Sequence, residues 1–76
     1  MNAARRNRIE QAISLIAEAQ EIHEECSSEE QEYLDNMPEN LQNSERASMA
    51  QDASENLYAA LDFLRDAESA AEVALG

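Results

Sequence analysis

Apolar side chains return at steps of three and four from Ile9 to Cys26, resume one heptad later at Tyr33 and run to Met37, and recur from Ala50 to Leu75. At about 100° per residue, the first run places Ile9, Ala12, Ile13, Leu15, Ile16, Ala19, Ile22, Cys26, Tyr33, Leu34 and Met37 on one half of a helical wheel. Glu10, Glu18, Glu21, Glu25, Glu29, Glu32 and Asp35 fall on the other half. This pattern predicts a helix over about 3–36. Ser27-x-x-Glu30 has the form of a capping box that restarts a helix, but no residue nearby breaks one. A continuous helix, bent at most, is therefore expected.

Pro38 disfavours the α conformation at Met37 and ends the first helix. A second helix is expected over about 44–75, with Asn43 or Ser44 as its cap and Glu45 in its first turn. Gly76 stands where a C-terminal glycine follows a helix. The link between them has an ordinary helix–helix length, with Met37 and Leu41 as apolar plugs.

The second helix keeps a seven-residue beat. Ala53, Ala60, Ala67 and Ala74 form one series, and Ala50, Leu57, Leu64 and Ala71 form another. Ala12, Ala19 and Cys26 answer at the same interval. Folding the chain back near residue 40 pairs Cys26 with Ala53, Ala19 with Ala60 and Ala12 with Ala67. Small residues facing small residues allow helix axes at the short end of the usual ~8–10 Å, with a left-handed supercoil. The expected fold is all-α: one domain, residues 1–76, forming an antiparallel two-helix hairpin with a close alanine-rich seam. Ile13, Leu15, Ile22, Tyr58, Leu61 and Phe63 are left on its flanks. Two hairpins packed as a four-helix bundle would cover them. A homodimer is thus expected, with a complex with another protein as the next possibility.

Composition strengthens that expectation. The chain has 76 residues, and fourteen of its apolar ones are alanines; it has no Trp and one Phe. A core built from so little is marginal. Seventeen acidic residues against five arginines give a net charge of −12. Such a chain does not bind nucleic acid directly through phosphates, nor anionic membranes. It can attract a basic or DNA-binding protein. A single Cys excludes an internal disulfide framework. No apolar run has the length of a membrane span or a signal peptide, so a cytoplasmic protein is expected.

Charge is unevenly placed. Eleven acids and no Arg or Lys lie between Ile9 and Glu45. Arg5, Arg6 and Arg8 sit at the start of the first helix, unfavourably for its dipole, where Glu68 and Glu72 of an antiparallel partner helix could neutralise them. Gln20, His23 and Glu30 interrupt the first helix's apolar face, and the fold-back predicts a Glu30–Arg46 ion pair near the turn. The rod is expected to be about 50 Å long, at ~1.5 Å per residue. Carboxylates along it resemble the phosphate array of DNA.

Signals for catalysis are weak. His23 and Cys26 make half of a metal site, and zinc needs four ligands; no metal or cofactor is expected. The Glu-x-x-His of di-iron bundles fails because position 20 is Gln. Glu18-x-x-Glu21 and Glu32-x-x-Asp35 loosely resemble acidic motifs of all-α nucleotide pyrophosphatases, but both lie on one helix. No phosphate loop or nucleophile–base set is present. The chain is expected not to be an enzyme.

The segment Asp35–Glu45, with its run DNMPENLQ followed by Ser44 and Glu45, resembles one found in short acidic helical proteins of bacteria, phages and prophages. The resemblance implies a phage or mobile-element setting and no mechanism. A turn needs a stop and a cap but not so many amides, so the segment is also a candidate recognition surface. The candidate protein-binding residues are Glu25, Glu29, Glu32, Asp35, Asn36, Met37, Glu39, Asn40 and Leu41.

Overall fold

A computed structural model describes all of residues 1–76. Helix α1 spans Ala3–Asp35 and helix α2 spans Glu45–Leu75, joined through one turn of 3-10 helix at Glu39–Leu41. Asn2 opens α1 in extended backbone, and its side chain accepts the Arg5 amide at 2.8 Å. This cap, unanticipated from the sequence, satisfies one of the helix's free donors. The helix passes through Ser27–Ser28 without a break. Ser27 does not cap a new helix; its hydroxyl donates one turn back to the His23 carbonyl at 2.7 Å, as mid-helix serines do.

The stop is built from main-chain bonds. Asn36 N–H donates to Glu32 O at 2.9 Å and Met37 N–H to Leu34 O at 3.2 Å. Pro38 then turns the chain out with φ −55° and ψ 143°. Gln42 Nε2 donates across the link to Met37 O at 3.3 Å, so one of the turn's amides serves closure. Of the two candidate caps Ser44 is the one used. It is extended (φ −79°, ψ 165°), and its hydroxyl accepts the Ala47 amide at 3.2 Å. Replacing Ser44 with Ala should lower stability by about 1 kcal/mol, read as a lower thermal midpoint with unchanged helix content before the transition. Gly76 ends α2 at φ +87°, its N–H donating to Val73 O at 3.1 Å.

The helices run antiparallel along a rod measuring 59 × 14 × 14 Å. Two hydrogen bonds report the register: Gln31 accepts from the Ser54 hydroxyl at 3.4 Å, and Gln20 donates to Glu68 at 3.0 Å. Both pairings lie more than a helical turn beyond a fold-back at residue 40. The first turns of α1 consequently project past the end of α2, and the turn with the start of α2 extends past the end of α1, so the rod is longer than either helix.

The seam does follow small residues, though other ones than expected. Ser27, Ser54, Ala47, Ala50, Met37 and Leu61 are buried. Ile9, Ile13, Ile16, Ala19 and Leu34 are half-buried along α1, as are Leu57, Ala60, Leu64, Ala71 and Leu75 along α2. Ala12, Cys26, Ala53, Ala67 and Ala74 are exposed, so the Cys26–Ala53 and Ala12–Ala67 pairs do not form. The cause is a competition for the place beside Ala50, Leu57 and Leu64, which face α1 as expected. The series Ala47, Ser54, Leu61 and Leu75 takes that place, because its two leucines remove more apolar area from water than Ala53, Ala60, Ala67 and Ala74, at ~25 cal/mol per Å². Two serines, polar but small, take the close-contact role assigned to alanine.

The predicted ion pairs are also absent. Arg65–Asp62, within α2 at 3.6 Å, is the one salt bridge of the molecule. Glu30 and Arg46 border a common groove without pairing, because the shifted register separates their charged ends. Glu68 accepts from Gln20 and does not meet Arg5, Arg6 or Arg8, which extend beyond α2.

Candidate protein-interaction surface

Helical phase divides the surface of the hairpin into two unlike long faces. On one, α1 presents Ala12, Leu15, Ala19, Ile22, Cys26 and Tyr33. These lie on the same side as Met49, Ala53, Ala60, Phe63, Ala67 and Ala74 of α2, since opposite chain directions bring the two phases to one flank. Tyr33, Met49 and Ala53 line a single groove of about 560 Å³ with Glu30, Glu45 and Arg46, which places the two stripes side by side. Leu15, Ile22, Met49 and Phe63 are 58, 56, 66 and 73% exposed. The other face carries Glu10, Glu21, Glu24 and Ser28 of α1, and Gln51, Glu55, Asp62 and Ser69 of α2.

The residues expected to bind a partner are divided between these faces at the turn. A second groove, of about 500 Å³, joins Tyr33, Met37, Pro38 and Leu41 to the carboxylates of Glu29 and Glu32, with Asn36 and Arg46. Asp35 belongs to a polar groove on the opposite side, with Gln42, Ser44 and Asp52, and accepts from Gln31 at 3.0 Å. Glu32 and Asp35 therefore do not converge. Glu25, Glu39 and Asn40 are exposed. Met37 is buried, whereas Leu41 is 41% exposed: the methionine closes the hairpin and the leucine is the one free to contact a partner.

The expected dimer residues are sorted likewise. Leu15, Ile22 and Phe63 lie open on the apolar face, and Ile13 is half-buried in the seam. Leu61 is only 2% exposed; it is the centre of the hairpin itself and is withdrawn from any outer interface. Tyr58 shares its phase with Asp62 and Arg65, on the polar side. Met49 and Arg46 were missed as surface residues. Met49 precedes Ala53 by four, Asn56 by seven and Phe63 by fourteen, and that extension of the alanine series was the signal available.

His23 turns into the seam, where its Nδ1 is buried with no hydrogen-bond partner, while Cys26 is exposed. An unmet buried polar atom costs on the order of 1–3 kcal/mol, and with two buried serines it makes the middle of the seam weak. No three His, Cys, Asp or Glu side chains gather as a metal-binding set. No helix is long and apolar enough to cross a membrane. Comparison with family models, curated proteins and solved structures gives no match to this chain.

Proposed function

We propose that the chain is a non-enzymatic, acidic protein-interaction module: a dimeric helical hairpin that binds and modulates a basic protein. In its most specific form it is a phage or mobile-element inhibitor that offers carboxylates where a host DNA-binding protein expects phosphates. One observation carries the reading. The carboxylates of α1, from Glu18 through Glu25 and Glu32, are exposed and no arginine pairs with them, so a field set by a net charge of −12 is directed outward. Electrostatic complementarity of this kind steers association and selects cationic partners.

Affinity capture from the native host followed by salt titration tests this. A partner held by the acidic face should be released as ionic strength rises from about 0.05 to 0.3 M, where screening shortens to ~6 Å. DNA should displace it. A combined Glu25→Gln, Glu32→Gln and Asp35→Asn variant should bind at least about tenfold more weakly. The exposed Leu15–Ile22–Phe63 face favours a second reading, a structural subunit acting only through bundle packing. Retention of the partner by the neutralised variant at high salt would select that reading.

A further inference from the structure

The apolar face of α1 is a charge and size palindrome. One heptad position reads Arg8, Leu15, Ile22, Glu29, and its neighbour reads Arg5, Ala12, Ala19, Cys26, Tyr33. Turned end for end and laid on itself, the first series sets Arg8 against Glu29 and Leu15 against Ile22. The second sets Ala12 against Cys26, Ala19 against its own copy, and Arg5 against the ring of Tyr33. A two-fold axis passing near Ala19 satisfies every one of these pairs at once. From this we infer that two hairpins associate through this face in antiparallel orientation, α1 against α1, with Arg8 of each chain paired with the partner's Glu29. The inference rests on the reading of the chain as a dimeric module and fixes the orientation and register of that dimer.

Three observations beyond the pattern support a second copy as the occupant. The first is apolar exposure: Leu15, Ile22, Met49 and Phe63, each more than half exposed, share one face of a rod 59 Å long, and a large exposed apolar patch marks an interaction site. Next is need, because six of 76 residues are buried and two of those six are serines, so the hairpin alone removes little apolar surface from water.

Charge is the third. Arg5 and Arg8 reach no carboxylate in their own chain, since the first turns of α1 project past α2. Glu29 and Glu32, which border the groove beside Tyr33, likewise form no ion pair in their own chain, although Arg46 lines the same groove. Antiparallel stacking lays the projecting turns of one chain over that groove in the other, and holds the two acidic tips at opposite ends of the rod. Parallel stacking would put the tips side by side within a Debye length of ~8–10 Å. The same axis sets Phe63 against the alanine-rich end of the partner's α2.

The pairing of Ala12 with the partner's Cys26 gives the test. Full-length Ala12→Cys protein, oxidised at low concentration, should form a covalent dimer whose bridge joins position 12 to position 26 by peptide mapping. Two such positions within one chain lie about 20 Å apart at 1.5 Å per residue, too far to bridge. Wild type should give a dimer mass by light scattering and no disulfide. A wild-type dimer linked through Cys26 to Cys26 overturns the antiparallel orientation and leaves the dimeric module standing; a monomer at tens of micromolar overturns both.

Charge exchange gives a second readout on exposed positions that fold independently. Arg8→Glu should weaken the dimer about tenfold, since two symmetric pairs are lost. Combining Arg8→Glu with Glu29→Arg should restore it. No effect of Arg8→Glu, or no rescue, overturns the register.

Discussion

Leu61→Ala should cost about 2–5 kcal/mol, the range for truncating a buried leucine. Leu61 is the one large aliphatic side chain sealed in the hairpin, at 2% exposure, and its neighbours in phase, Leu57 and Leu64, are only half covered. Marginal small domains hold about 5 kcal/mol in total, so the loss should leave much of the population unfolded at room temperature. Loss of helical circular dichroism and a urea transition shifted to the baseline would register it. Phe63→Ala provides the contrast: its ring is 73% exposed, and its removal should leave the hairpin folded while weakening association. A folded, wild-type-like Leu61→Ala protein would mean that the helices do not meet along the Leu57–Leu61–Leu64 stripe.

Enlarging the seam should be nearly as damaging. Ser27 and Ser54 are fully enclosed, so Ser27→Leu or Ser54→Leu must push the helices apart, at about 1–3 kcal/mol each. Ser27→Ala should cost less than about 1 kcal/mol, because the His23 carbonyl it contacts belongs to the helix ladder as well. Ala53→Leu, on the open face, should leave helix content and thermal midpoint unchanged at low protein concentration. The opposite ranking, with Ala53→Leu disruptive and Ser54→Leu silent, would place the seam on the alanine series.

The extent of both helices was legible because local chemistry sets it. Pro38 stops one helix, Ser44 caps the next, and Gly76 closes the last turn, each acting within a few residues. The seam was harder to read because two stripes of α2 fit beside the Ala50–Leu57–Leu64 series. Periodicity cannot choose between Ala53–Ala60–Ala67 and Ala47–Ser54–Leu61, since the choice depends on area buried against a helix more than twenty residues away. Ser27 and Ser54 misled for a related reason: a serine reads as polar in a pattern, yet in a close crossing its size decides.

Register failed next, and the ion pairs failed with it. A fold-back at residue 40 treats the link as symmetric, whereas the 3-10 turn carries the chain onward before Ser44, and Gln31 meets Ser54. Glu30 and Arg46 were assigned to each other on the symmetric register and inherit its error. The candidate surface was half legible. Glu29, Glu32 and Leu41 do gather at one groove, while Met37 is consumed in closing the turn and Asp35 faces away. Exposure of Leu15, Ile22 and Phe63 follows from the same wheel that predicted it. Their confinement to one flank depends on knowing which stripe the seam had taken.

The link at Met37–Asn43 is the sole covalent tie between two long rods, and it lies at one end. A load applied across the far end, between the start of α1 and the end of α2, therefore strains the contacts near Ile13 and Leu75 before any others. Those contacts open in sequence, turn by turn, as in peeling tape, and never share the force as they would in shear. Such a molecule yields mechanically at low force however well its closed tip is packed. Whatever grips both arms together at that far end changes its resistance more than any added contact near the turn.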